Sequence, residues 1–143
     1  MLVLGARGMW AIETNDGLPD QGAWSSGVDA TLDEVVTEAG TVVVVSGIGA
    51  LTERPSSCLS DPRSDLASCT SPEDERILIA NELTRTAAAD HDLTYADLTS
   101  LACLRNTCPL VAERTVLYRD PAHLSMTWML RVAWELATLM EMS

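Results

Sequence analysis

Lysine and phenylalanine are absent from this sequence of 143 residues, and aromatic side chains are few, with four Trp and two Tyr. An interior built without Phe must be filled by aliphatic side chains and Met. All nine basic residues are Arg, set against 21 acidic ones, for a net charge of −12. A chain this acidic repels the phosphates of nucleic acid and the headgroups of anionic lipid, so neither is expected as a partner. Long apolar runs are missing as well. The run Val42 to Val45 falls far short of the roughly 18 residues of a membrane span. No basic stretch followed by an apolar core opens the chain, so no signal peptide is read there. What remains is 47% hydrophobic and 21% charged, enough apolar side chain to bury a core, and a length that suits one domain or a piece of one.

Four cysteines fall in two close pairs, Cys58 with Cys69 and Cys103 with Cys108. Neither pair has the spacing of a zinc knuckle or a thioredoxin site, so no metal is expected. Short loops favour local closure, giving disulfides Cys58–Cys69 and Cys103–Cys108; the alternative is four buried free thiols in a cytosolic domain. Disulfides require an oxidising compartment. A disulfide pattern without an export signal is consistent if the chain is the rear part of a longer exported or membrane-anchored protein.

The hydrophobic pattern reads as alternating strands and helices. Residues 1–6 form a strand, followed by a Gly-, Asp- and Ser-rich loop to about Ala30. Thr31 and Glu34 match a capping box, with Leu32, Val35, Val36 and Ala39 on one helical face and Gly40 as the C-cap. Thr41 to Ser46 is a β-branched run suited to a strand buried on both faces. Residues 47–71 read as loop. Ser71 and Pro72 read as the N-cap and first position of a helix running to about Ala89. A short strand over 92–98, a helical turn, an extended segment at 116–118 and a last helix capped by Ser125 complete the chain. In that last helix Arg131 and Glu135 are spaced to pair. The order β-α-β-α-β-α predicts an α/β domain with a parallel sheet.

Two histidines are available for chemistry. His91, at the predicted end of a helix, reads as a solvated residue on the helix dipole. His123 lies in Leu117-Tyr118-Arg119-Asp120-Pro121-Ala122-His123-Leu124-Ser125, just before the last helix. An Asp and a His three positions apart in a loop can hydrogen-bond directly. The carboxylate then fixes the imidazole tautomer and stabilises the imidazolium, the orienting half of a Ser-His-Asp triad.

This segment resembles the last block of SGNH hydrolases, and more closely that of the SGNH domain fused to the C-terminus of acyltransferase-3 membrane proteins. Cys103, Cys108-Pro109, Leu117-Tyr118-Arg119-Asp120, His123-Leu124-Ser125 and the final helix follow in that family's order. Pro55-x-x-Cys58-Leu59 and Cys69 look like its cysteine loop, and the first strand with Trp10 looks like its third conserved block. The resemblance covers nearly all of the chain. It implies a partial flavodoxin-like three-layer α/β fold with a parallel sheet, lacking its first strands. It also implies catalysis by Asp120 and His123 without a cofactor, acting on an acyl donor and a carbohydrate acceptor. Arg7, in the loop after the first strand, is a candidate substrate contact.

The sequence departs from that family at the nucleophile, because it contains no Gly-Asp-Ser. Ser25-Ser26 follows the wrong strand. Ser46, between a strand and Gly47, superficially suits a nucleophile elbow, although the corresponding family strand carries no catalytic Ser. Asn15-Asp16 comes about ten residues too late for the family's oxyanion block, whose place Gly5 to Gly8 occupies. Residues 1–143 are therefore expected to be the C-terminal part of one SGNH-like domain, with the nucleophile and a membrane acyltransferase domain upstream. That places the domain on the extracytoplasmic side of a membrane, or outside the cell, as an O-acyltransferase for cell-envelope polysaccharide or an acyl esterase. The alternative is a non-catalytic remnant or secreted binding module. The first strand, apolar on both faces, is expected to be an open edge through which the chain self-associates.

Overall fold

The computed structural model describes residues 1–5, 20–51, 53–105 and 107–141. Their elements run β1 (Leu2–Gly5), α1 (Gln21–Glu38), β2 (Val42–Val45), α2 (Pro55–Ser60), β3 (Thr70–Pro72), α3 (Glu75–Asp90) and β4 (Thr94–Ala96). A 3₁₀ turn at Thr99–Leu101 follows, then β5 (Thr107–Pro109), β6 (Val111–Ala112), β7 (Thr115–Val116), β8 (Tyr118–Asp120) and β9 (His123–Leu124). The helices α4 (Met126–Arg131) and α5 (Ala133–Glu141) end the chain. Two compact units emerge, one within Met1–Gly47, Glu75–Leu98 and Leu139–Ser143, the other within Ile48–Asp74 and Thr99–Thr138.

The first unit is the α/β unit that the pattern predicts. Its sheet is parallel in the order β1-β2-β4, with Leu2 opposite Val42 and Val43 opposite Thr94. β2 is central and buried at all four positions. Because side chains alternate across a strand, Val42 and Val44 face one layer while Val43 and Val45 face the other. Val42 and Val44 pack with Leu32 of α1 and with Ala87 and Ala88 of α3. Val43 and Val45 pack with Ala96, and Leu139 and Met140 from the end of α5 lie against them. Two helices thus cover one face of the sheet, and Leu139 and Met140 lie on the other. β1 is an edge strand, and Leu2 and Val3 remain 39% and 43% exposed.

Two helix starts differ from the sequence expectation, and one helix is unexpected. α1 begins ten residues before Thr31, because the Asp20 carboxylate accepts from the Ala23 N–H at 2.9 Å and supplies the N-cap. Thr31 lies inside this helix and turns its hydroxyl back to the Gly27 carbonyl. The helix closes on Ala39 in an extended conformation, so Gly40 is not its C-cap. Ser71 and Pro72 belong to β3, which pairs antiparallel with β5, and α3 starts only at Glu75. The region 47–71 is not all loop, since α2 occupies Pro55–Ser60.

The second unit holds its short strands in antiparallel pairs, β3-β5, β6-β7 and β8-β9. It contains both disulfides, Cys58–Cys69 and Cys103–Cys108, as the spacing predicts, and among the described residues no cysteine is free. Ser125 caps α4 by accepting from the Trp128 N–H. The final helical stretch breaks at Val132 rather than running through. Arg131 consequently pairs with Glu113 and not with Glu135.

Candidate functional site

The hairpin β8-β9 turns through Pro121 and Ala122 and sets Asp120 directly opposite His123. Asp120 Oδ1 lies 2.7 Å from His123 Nδ1 and also accepts from the Ala122 N–H at 3.0 Å. Oδ2 accepts from Nε and Nη2 of Arg119, each at 3.2 Å. The first of these contacts, then the Ala122 N–H and the Arg119 guanidinium, hold the Asp120 carboxyl down at about 2. Since an ionised carboxylate can only accept, the proton in the Asp120–His123 bond sits on Nδ1. The neutral imidazole then presents its lone pair at Nε2. Nε2 has no hydrogen-bond partner among the described residues, and the His123 side chain is 48% exposed. The pair thus has the geometry that a general base requires, with its tautomer set and Nε2 open.

The surroundings of the hairpin are more buried than its exposed tip. Tyr118, two residues before Asp120, is 1% exposed and donates its hydroxyl to the Gly49 carbonyl at 3.0 Å. Burial, followed by the negative charge of Glu73, raises the Tyr118 phenol far above the ordinary value, so it stays a neutral donor. Leu51 N–H donates to the Pro121 carbonyl at 2.8 Å. After the hairpin, Ser125 donates from its backbone N–H to the Leu117 carbonyl and from its hydroxyl to the Val116 carbonyl. Trp128 of α4 is anchored through Nε1 to the Leu101 carbonyl at 2.7 Å.

Ser46 is no nucleophile in this structure. It is 4% exposed, donates to Asp97 Oδ1 and accepts from the Leu98 N–H at 2.7 Å. Both of its hydrogen-bonding roles are structural. Ser25 and Ser26 lie within α1. Arg7, Trp10, Asn15 and Asp16 lie outside the described residues. His91 is less solvated than its place at a helix end suggests. Its ring is 18% exposed, with Nε2 and Nδ1 each 3.8 Å from the carboxylates of Asp29 and Asp33 on α1.

Glu73, Cys103 and Cys108 bring metal-type ligand atoms together. The two sulfurs are joined to each other, however, and a disulfide lacks the thiolate that a metal needs. Sequence reasoning missed Gly49 and the anchoring role of Tyr118. A Cβ on Gly49 would stand 2.7 Å from Cys108 Sγ and 3.0 Å from Cys103 Sγ. The available signal was a second glycine shortly after a buried strand, in Ser46-Gly47-Ile48-Gly49, which marks a close backbone approach.

Over residues 1–137 the chain matches the family described as SGNH domain (fused to AT3 domains). No curated protein matches it. Among solved structures it is similar to the periplasmic domain of a lipopolysaccharide acetyltransferase from Salmonella ser. Paratyphi A, with a TM-score of 0.65 and 10% identity. The match covers 95% of this chain and 56% of that one, so the chain spans little more than half the length of the structure it resembles.

Proposed function

The chain belongs to the family of SGNH domains fused to AT3 domains, and on that premise we propose that it carries the acid–base half of an extracytoplasmic acyl-transfer site. The observation that supports this most is the 2.7 Å contact between Asp120 and His123 Nδ1, beside an open Nε2. The nucleophile is a serine in a Gly-Asp-Ser block outside these 143 residues, which form the C-terminal part of one SGNH-like domain. His123 Nε2 takes the proton as that serine oxygen bonds the acyl carbon of the donor, and returns it to the departing group. Asp120 holds the imidazolium formed in between. A hydroxyl of a carbohydrate acceptor then gives its proton to Nε2 and its oxygen bonds the acyl carbon. The serine–acyl bond breaks, and serine recovers the proton. Water in place of the carbohydrate gives ester hydrolysis by the same steps. An AT3 membrane domain in the same protein is the source of the acyl group, and a cell-envelope polysaccharide is the acceptor.

A second reading has one observation in its favour. Ser46 is fully committed to structure, and without a nucleophile from outside the chain the dyad would be a remnant in a non-catalytic binding module. A serine-directed phosphonate probe separates the two. Joined to the segment that precedes it in its reading frame, the chain should take up one label on the Gly-Asp-Ser serine, and His123→Ala should abolish labelling. The 143 residues alone should take up none. Labelling of the isolated chain would place the nucleophile inside it and contradict the proposal. An unlabelled joined protein would favour the binding module.

A further inference from the structure

The dyad sits on a hairpin whose strands are three and two residues long. An isolated two-stranded hairpin is at best marginally stable in water. Something else must hold Asp120 against His123, and it has to grip the hairpin on both sides of Asp120. The segment Gly49-Ala50-Leu51 does this. Its Gly49 carbonyl accepts from the Tyr118 hydroxyl before Asp120, and its Leu51 N–H donates to the Pro121 carbonyl after it. Ala50 and Leu51 are 7% and 8% exposed, so the segment is buried against the hairpin's base.

That segment has a specific seat. Gly49 lies so close to the Cys103–Cys108 disulfide that any side chain at this position would meet both sulfurs. The Tyr118 hydroxyl is itself 3.6 Å from Cys103 Sγ. Disulfide, glycine and phenol thus form one buried contact, from which the hairpin projects. We infer that the Gly49–Leu51 strap, seated on the Cys103–Cys108 disulfide and clasped by Tyr118, positions the Asp120–His123 dyad. Gly49, Tyr118, Cys103 and Cys108 are positioning residues, since they act through the hairpin. This inference rests on the proposed role of the dyad, but its test does not use acyl transfer.

The test is nuclear magnetic resonance of the 143-residue chain, reading the His123 Nδ1 proton and the Asp120 carboxyl carbon. Tyr118→Phe removes one oxygen atom and leaves the ring to fill its site. It should speed exchange of the Nδ1 proton with water by about tenfold or more, as expected when a local opening loses one buried hydrogen bond. It should also move the Asp120 titration from about 2 toward 3.8. His91, in the other unit, is the internal reference and should not respond. Gly49→Ala and the paired change Cys103→Ala with Cys108→Ala should act in the same direction. If Gly49→Ala fails to fold, Tyr118→Phe decides alone. An Nδ1 proton and an Asp120 titration that Tyr118→Phe leaves unmoved would overturn the inference. A dyad that loosens as expected, while the chain joined to its upstream segment shows no acyl-transfer activity, would uphold the strap and count against the functional reading.

Discussion

Asp120 and His123 were legible because their interaction is local. Three residues of separation across a Pro-Ala turn put carboxylate and imidazole within reach of each other, whereas the distant segment that holds the hairpin leaves no such local pattern. The pH dependence of the pair follows from the depressed Asp120 carboxyl. A folded-state value below the unfolded one contributes stability that is fully present above the unfolded value and lost as the pH falls through the folded one. With the folded value at about 2, the contribution should hold from neutral pH to about pH 4 and vanish around pH 2. A carboxyl-carbon titration of Asp120 should show no protonation above pH 4, and a midpoint near the ordinary 3.8 would contradict this. Ser46 was ambiguous for the opposite reason. Its partners, Asp97 and Leu98, lie more than 50 positions away, and no sequence pattern shows that its hydroxyl is already committed. Ser46→Ala leaves the part-buried Leu98 N–H without its acceptor, which should lower unfolding stability by about 1 kcal/mol. The catalytic rate of the joined domain should not change. A rate loss larger than the stability loss would return Ser46 to the site.

At the scale of elements, the three strands of the parallel sheet are more legible than the helix ends. The run of four valines in β2 could hardly be anything but a central strand, and β1 and β4 followed from the alternation of elements. α1 was read ten residues short because Thr31 and Glu34 imitate a helix start while Asp20, the true cap, stands next to a stretch rich in Gly and Ser. Gly22 and Gly27 argue against helix by propensity alone, yet Trp24, Val28 and Leu32 recur on one face of it. Trp24 donates through Nε1 to Thr84 of α3 at 3.3 Å, and Val28 and Leu32 belong to the same core. Tertiary packing here outweighs propensity. The two candidate caps make opposite predictions. Asp20→Ala should cost about 1 kcal/mol through the lost cap, whereas Thr31→Ala should fall within about 0.5 kcal/mol of neutral. Chemical denaturation of both variants checks this, and a larger loss at Thr31 would restore the shorter helix. The hairpins of the second unit were not legible, because what orders them is a disulfide, a glycine and backbone hydrogen bonds between distant segments rather than a hydrophobic period.

For the molecule as a whole, the α/β sheet and the family were readable, the first from apolar runs and the second from the Leu117–Ser125 motif with its cysteines. No nucleophile was readable, since no Gly-Asp-Ser occurs among the 143 residues. Among the described residues nothing pairs with the outer side of β1, and the strand has no charge, proline or bulge to discourage pairing. The chain should therefore self-associate, with a light-scattering mass that rises with concentration. A mass fixed at that of one chain across a wide concentration range would contradict an available edge.

The central claim is that Asp120 and His123 serve a serine outside these residues, and hydrolysis of an activated acetyl ester tests it most directly. The isolated chain should be inactive, and joining it to its upstream Gly-Asp-Ser segment should restore turnover. In the joined protein Asp120→Asn should reduce the rate by roughly 10⁴-fold, as a misdirected tautomer does in a serine triad. His123→Ala should remove nearly all of the triad's contribution. Appreciable activity in the isolated chain that vanishes with His123→Ala would contradict the account, because the nucleophile would then lie within the 143 residues.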